Sequence, residues 1–336
     1  MLNSGGRQKR ALALSLVLAA LLYLVFILLT GYESMLAAAS RLGLAGWLLL
    51  LASSLVNYLL RFGRWQFYLR ALGHALPLRL HFLYYLSGFA LTTSPGKAGE
   101  TIRSVYLRDH GVPWTDSLAM FFTERVLDVV VVTLLATLAV LSLDRYGGFI
   151  FTAAGMLLLF LPLLRSPWLV AWLERLTLRI PRLRLRRMVL HLSELLDAAR
   201  SLLQWRRLYG GLGIGLLAWA VQGMAFQYLL TSLLLDMPWH LAMAIYAISL
   251  LAGALSFVPG GIGTTEAVMG LLLLQFGADP ATAVAVPVIN RLSTLWFAVT
   301  LGLLASLVLG LRPSPSRANS AEAQVPQRQS EDTEDR

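Results

Sequence analysis

The sequence predicts an all-α polytopic membrane protein, with about six spanning helices plus two re-entrant broken hairpins related as an inverted repeat. Three observations predict it. Of 336 residues, 57% are hydrophobic and only 14% are charged, whereas a soluble domain carries about 25% charged residues. The apolar residues are gathered into six blocks, 12–29, 44–60, 117–141, 149–164, 211–235 and 281–309, each near the length that crosses hydrocarbon. Two Pro-Gly-rich interruptions, 94–100 and 258–263, then recur in matching surroundings. A soluble core can account for one such block but not for six.

The elements follow in order. Block 12–29 sits behind Arg7, Lys9 and Arg10. A cleaved leader would need a shorter apolar run and a small-residue cleavage site, so the block reads as a retained span. Positive charge orients the rest. The N-terminus is expected in the cytoplasm, and block 44–60 returns there, delivering Arg61, Arg64, Arg70 and Arg79. The arginine-rich stretch 165–207 belongs on the same side and reads as an amphipathic surface helix between 169 and 204. Segments 81–93 and 101–107 are too short to cross and flank Ser94-Pro95-Gly96-Lys97-Ala98-Gly99-Glu100, where proline and glycine break a helix. A hairpin that enters, breaks in mid-membrane and returns fits those lengths. Block 117–141 goes out, Asp144-Arg145 turns, and 149–164 comes back. Block 211–235 goes out again, and Pro238 starts a helix that meets the second break at Val258-Pro259-Gly260-Gly261-Ile262-Gly263. Asp279-Pro280 supplies an N-cap and a first-turn proline for the last span, 281–309. The expected organisation is a cytoplasmic N-terminus at 1–10, a membrane domain at 11–311 and a disordered cytoplasmic tail at 312–336. Within the membrane domain lie a first repeat at about 80–164, a basic connector at 165–207 and a second repeat at about 208–310.

The two breaks read as copies of one unit. After Pro95-Gly96-Lys97-Ala98-Gly99-Glu100 come Gly111-Val112-Pro113 and then Glu124-Arg125. After Pro259-Gly260-Gly261-Ile262-Gly263-Thr264-Thr265-Glu266 come Gly277-Ala278-Asp279-Pro280 and then Asn290-Arg291. The interval from Gly111 to Arg125 equals that from Gly277 to Arg291, and the Thr264-Thr265 pair supplies the extra length of the second break. With positive charge inside, the first hairpin enters from the cytoplasm and the second from outside. Alternating-access transporters use such inverted repeats with broken helices. Irregular backbone at that depth is tolerated where protein or a watery cavity surrounds it.

Charges inside the apolar spans mark the candidate site, because each is costly there. Glu124, Arg125 and Asp128 open a span, and their spacings of three and four place them on one helix face. Lys97, Glu100 and Arg103 gather at the first break, with Glu266 and Arg291 at the second. A purely structural salt-bridge network is the competing reading of these groups. Arg61, Arg64 and Arg70 beside Trp65, Phe67 and Tyr68 read as an interfacial anchoring belt, with Arg61 and Arg64 also placed to collect lipid phosphates. Gly211 and Gly215 form a GxxxG step suited to helix packing.

Composition excludes several classes. The net charge of +10 lies in connectors beside apolar spans, which points to anionic lipid headgroups rather than nucleic acid. There is no cysteine, hence no disulfide, thiolate metal site or cysteine nucleophile. The histidines show no metal-ligand spacing and no P-loop motif occurs, so neither a cofactor nor an ATPase is expected.

The segments Arg61-Phe62-Gly63-Arg64-Trp65, Pro95-Gly96-Lys97-Ala98-Gly99-Glu100-Thr101-Ile102-Arg103 and Glu124-Arg125-Val126-Leu127-Asp128 resemble the flippase-like membrane domain of lysylphosphatidylglycerol synthases, the multiple peptide resistance factors. Pro259-Gly260-Gly261-Ile262-Gly263 with Glu266 and Arg291 adds to the resemblance, which spans about 10–310. Full-length synthases carry an aminoacyl-transferase domain after the membrane part, where this chain has a short polar tail, so lipid aminoacylation is not implied. The resemblance implies a bacterial inner-membrane protein that moves lipids or lipid-linked sugars between leaflets. One departure is Asn290 where the first repeat has Glu124.

The expected function is therefore translocation of an anionic lipid or lipid-linked headgroup, not catalysis. The expected substrate-binding residues are Arg61, Arg64, Pro95, Gly96, Lys97, Gly99, Glu100, Arg103, Glu124, Arg125, Asp128, Pro259, Gly260, Gly261, Gly263, Glu266 and Arg291. Partners would be membrane lipids, with a second copy or a lipid-synthesis enzyme as further candidates. The alternatives are an accessory subunit of a lipid or polysaccharide synthesis complex and a membrane enzyme using Glu124 and Asp128 as paired carboxylates.

Overall fold

The computed structural model describes residues 32–141, 183–256 and 258–311, with isolated positions between 148 and 175. The expected span at 12–29, the turn at Asp144-Arg145, most of block 149–164 and the tail 312–336 lie outside the described residues.

Among the described residues the chain is helical and contains no strand. Helix α1, Tyr32–Ala71, is interrupted by non-helical backbone at Gly43. Its break leaves a 44–71 piece of about 40 Å at 1.5 Å per residue, ample for a crossing, so the span runs well past the 44–60 block into the arginine segment. Gly73, with φ of 87°, reverses the chain, and Pro77 starts α2, Leu78–Ser87. The first break follows as two short 3₁₀ turns, Gly88–Leu91 and Pro95–Thr101. Next come α3, Ile102–Arg108, and α4, Trp114–Ala136, the latter starting at Pro113. An amphipathic α5, Leu183–Leu202, forms the described part of the basic connector.

The second half runs through α6, Trp205–Ser232, and α7, Trp239–Leu255, which begins at Pro238 as the sequence predicts. The second break, centred on a turn at Pro259–Gly261, leads to α8, Thr264–Gln275. Helix α9, Pro280–Arg291, is capped by Asp279, whose carboxylate accepts from the Ala281 and Thr282 amides at 2.9 and 3.1 Å. A π-helical turn, Leu292–Trp296, joins α9 to α10, Phe297–Gly310.

Among the described residues three stretches are long and apolar enough to cross a bilayer: Met35–Ala71, Trp205–Ser232 and Pro280–Gly310. Helix α4 has the length but carries Asp116, Glu124, Arg125 and Asp128. Leu44, Leu48, Leu217, Leu271, Leu304 and Leu307 stay exposed on the outside, where hydrocarbon rather than water suits them. The protein is an all-α integral membrane protein.

The two halves share more than their breaks. Helix α2 packs on α10 as α7 packs on α4, and α1 packs on α9 as α6 packs on α4. Helix α3 meets α4 as α8 meets α9, while α1 and α6 pack on each other, and the two breaks touch. Each of these contacts has a counterpart when the halves are exchanged, whereas the packing of α6 on α7 and of α4 on α5 does not. The correspondence starts at α1 and α6, which end alike: Gly73 and Leu234 both take positive φ, and a proline four residues later starts the next helix.

The α1–α6 contact is close because α6 carries glycine where α1 presents large groups. A Cβ at Gly211 would collide with Tyr68 Oη, and one at Gly215 would meet Arg64 Nη1 at 2.7 Å. The GxxxG step is thus a packing device within the chain. Asn57 donates to the Ala218 carbonyl at 2.7 Å and Gln222 to Ser54 at 3.1 Å, stitching the same seam.

Candidate functional site

The charged residues singled out from the sequence converge where α1, α4 and the first break meet. Asp128 is the hub. It lies 2.6 Å from Arg64, 3.2 Å from Arg125 and 3.5 Å from Arg61, and accepts from Trp219 Nε1 at 3.2 Å. Glu124 faces Arg64 at 3.5 Å, Arg103 at 3.8 Å and Arg125 at 3.9 Å. Glu100 binds Arg103 at 3.1 Å, lies 3.9 Å from Arg125, and accepts from Thr92 at 2.8 Å. The helical spacing of Glu124, Arg125 and Asp128 therefore does place them in one network, and the first break brings Glu100 and Arg103 to it.

Arg61 and Arg64 are not in an interfacial belt. Arg64, Trp65 and Tyr68 are all but fully buried and Arg61 is 4% exposed. The reason is that α1 does not end after the apolar block. It continues to Ala71, and the three-residue spacing of Arg61 and Arg64 turns both inward toward α4. Of the supposed belt, Phe67 and Arg70 remain outward.

Arg103 sits in an aromatic box that sequence reasoning missed. Its guanidinium carbon lies 4.0 Å from the Tyr85 ring centroid and 5.3 Å from those of Trp65 and Phe89, and its Nε donates to the Tyr85 carbonyl at 3.0 Å. Cation–π contacts of this kind contribute about 2 kcal/mol when desolvated. Gly88 makes room, since a Cβ there would collide with Arg103 Nε. Trp219 was missed as well. It stacks 5.6 Å from Arg61 while donating to Asp128. The available signal was its place in mid-span, away from the interfaces where tryptophan gathers.

The second break carries a smaller version of the first. Arg291 binds Glu266 at 3.0 Å, and its Nη2 donates to the Gly260 and Gly261 carbonyls at 2.9 and 3.1 Å. Glu266 in turn accepts from the Gly263 amide at 2.8 Å. Both glycines of Pro259-Gly260-Gly261 take positive φ, 66° and 65°, which side-chain-bearing residues adopt only at a cost. Glu100–Arg125 and Glu266–Arg291 occupy corresponding places in the two halves. Asn290 stands where Glu124 does in the first and joins no ion pair among the described residues, which is why the second break holds a pair rather than a network.

Between the breaks lie two adjoining chambers. The outer one, about 250 Å³, is bounded by Lys97, Arg125, Asp128, Trp219, the second break, Arg291 and aliphatic groups such as Val129, Val132, Leu250 and Leu251. The inner one, about 80 Å³, shares Lys97, Trp219, Leu250 and Arg291 and adds Arg61, Asn57, Gln222 and Tyr246 among others. Lys97 stands at the boundary. It takes a left-handed φ of 56° and has no ion pair among the described residues. Of the other predicted residues, Gly99 donates its amide to Ser94 at 2.6 Å, and Pro95 and Gly96 open the turn that carries Lys97.

The charge balance is uneven. Arg61, Arg64, Arg103 and Arg125 outnumber Glu100, Glu124 and Asp128, with Lys97 in addition. Several buried polar atoms of the network lack a hydrogen bond among the described residues, including Arg61 Nε, Arg64 Nη1, Arg103 Nη1 and Glu124 Oε2. An under-satisfied network of this kind is a poor stabiliser, because each desolvated charge costs several kcal/mol.

A polytopic helical membrane protein with broken helices and an intramembrane charge network is the class defined by these features. The chain belongs to the family of the lysylphosphatidylglycerol synthase transmembrane region, whose model matches residues 12–302. It is similar to two UPF0104 membrane proteins of Methanothermobacter thermautotrophicus. One is 23% identical over 72% of this chain and 79% of the relative, the other 24% identical over 78% and 84%. The UPF0104 membrane protein MJ1595 of Methanocaldococcus jannaschii is 39% identical over a shorter segment, 20% of either chain.

Proposed function

We propose that the protein is a lipid translocator that moves an anionic lipid or lipid-linked headgroup between leaflets. The observation that carries this reading is the cation-rich network at the junction of two broken hairpins, opening into a chamber walled by both charged and aliphatic groups. A headgroup phosphate suits the former and acyl or prenyl chains the latter. The exchange symmetry of the helix contacts supports an internal repeat, and the positive-inside charge pattern argues that it is inverted, so that the two breaks enter from opposite faces and rocking of one half on the other changes access. In that arrangement both termini are cytoplasmic and the protein resides in the cell membrane.

Glu100, Glu124 and Asp128 have a positioning role in this scheme. They hold Arg103, Arg125 and Arg61 around the chambers while leaving the network short of full neutralisation. Reconstitution tests the reading. Vesicles carrying the protein and a fluorescent anionic lipid or lipid-linked sugar should lose inner-leaflet fluorescence to an external quencher faster than empty vesicles. Identical decay for every lipid tried would refute it and favour an accessory role in a synthesis complex.

A further inference from the structure

The inner chamber is lined by Arg61, Lys97 and Arg291 and, among its described lining residues, by no carboxylate. Its polar wall is otherwise made of neutral groups, including Asn57, Thr92 and Gln222. Arg61 is more than nine-tenths buried, and its Nε has no hydrogen-bond partner among the described residues. Lys97 is held there by a left-handed backbone conformation that is unfavourable for a non-glycine residue. The chamber, about 80 Å³, has room for a headgroup phosphate and adjoins the larger one through Lys97, Trp219, Leu250 and Arg291, so the glycerol or other group that carries the phosphate can continue into that space. The carboxylates around it are already engaged: Asp128, which bounds the outer chamber, by Arg61, Arg64 and Arg125, Glu100 by Thr92 and Arg103, and Glu266 by Arg291. An ammonium group on a headgroup would find no free counter-charge.

We propose that the inner chamber binds the unsubstituted terminal phosphate of a lipid phosphomonoester through Lys97 and Arg61, with Arg291 completing the wall, and that it discriminates against amine-bearing headgroups. This rests on the translocator reading and specifies its substrate. A monoester phosphate carries close to two negative charges at neutral pH, as phosphoryl groups with a second pKa near 6 do. Two such charges suit a wall of Lys97, unpaired among the described residues, with Arg61 and Arg291, of which Arg61 is shared with Asp128 and Arg291 with Glu266, better than the single charge of a diester. The hydrocarbon chain would leave toward the outer chamber, whose aliphatic groups accept it.

The test is calorimetric titration of the purified full-length protein in detergent with short-chain phosphatidic acid, phosphatidylglycerol, phosphatidylethanolamine and inorganic phosphate. Phosphatidic acid should bind about tenfold or more tightly than either diester lipid, as one additional charge-assisted contact gives. Inorganic phosphate should compete with it but bind more weakly. Lys97→Gln should remove that preference and Lys97→Arg restore it, and because Lys97 joins no ion pair among the described residues, both variants should elute as wild type. Equal affinity for all lipids, or a preference unchanged in Lys97→Gln, overturns the proposal. Inorganic phosphate binding as tightly as phosphatidic acid would make the site one for the free anion and overturn its lipid assignment. Flipping assays separate the two layers. Transport with no monoester preference refutes this inference alone, while saturable phosphatidic acid binding without transport of any lipid supports the site and refutes translocation.

Discussion

Replacing the two partners of the shortest buried ion pair, singly and together, probes the network at its centre. Arg64 and Asp128 are 2.6 Å apart, with Arg64 fully buried and the Asp128 side chain 9% exposed. Arg64→Met leaves Asp128 with Arg61 and Arg125, so part of its compensation survives. Asp128→Asn leaves three arginines facing one fewer carboxylate and should be the costlier change, about 3–5 kcal/mol, the usual cost of leaving a buried charge uncompensated. The double variant should cost less than the two singles added, by about 2 kcal/mol or more, because each single strands the partner that the other removes. Exposed Arg200 and Asp197, 3.9 Å apart on α5, provide the control, with an expected coupling below about 0.5 kcal/mol. The assay is reversible unfolding in mixed micelles of rising dodecyl sulfate content, followed by circular dichroism. Additivity of Arg64→Met and Asp128→Asn within about 0.5 kcal/mol would refute the claim that these groups form one buried network.

Gly215→Ala should destabilise the protein by about 1–3 kcal/mol in the same assay, because its Cβ would press on Arg64 Nη1 at 2.7 Å. Gly213→Ala, with open space around it, should not. Asp279→Ala should cost about 1 kcal/mol through loss of the α9 cap. Hydrogen bonds from Thr282, first from its hydroxyl and then from its amide, hold the Asp279 carboxyl below its usual range. That contribution is present above the ordinary aspartate pKa of about 4 and is lost as pH falls through the lower folded value, so acid unfolding curves of wild type and Asp279→Ala should converge there. In a chain with no native cysteine, Gly111→Cys and Asp236→Cys should label from opposite sides of the membrane. Labelling from one side would break the inverted arrangement.

The sequence discloses the fold class because a bilayer demands long apolar runs, and the breaks because proline and glycine interrupt them visibly. Glu124, Arg125 and Asp128 were legible as a group through helical spacing alone. Their partners were not. Arg61 and Arg64 follow an apolar block and sit among aromatic residues, which reads as a membrane surface until the length of α1 is known. That length depends on packing against α4 and α6, where Gly211 and Gly215 admit Tyr68 and Arg64. The box around Arg103 draws Trp65, Tyr85 and Phe89 from two helices and a turn, and no local pattern joins them. The second break was legible as a copy of the first, yet the hold of Arg291 on the Gly260 and Gly261 carbonyls depends on positive φ at both glycines, which Pro-Gly-Gly permits without requiring.

Quencher-protection kinetics of a fluorescent anionic lipid in vesicles carrying wild type, Lys97→Ala or Glu124→Ala at equal protein density test the central claim most directly. The account predicts rapid flipping by wild type, loss of it in Lys97→Ala with unfolding stability intact, and loss in Glu124→Ala through displacement of Arg64, Arg103 and Arg125. Flipping by Lys97→Ala at the wild-type rate would contradict the assignment of the site to the first break and leave its charges as structure alone.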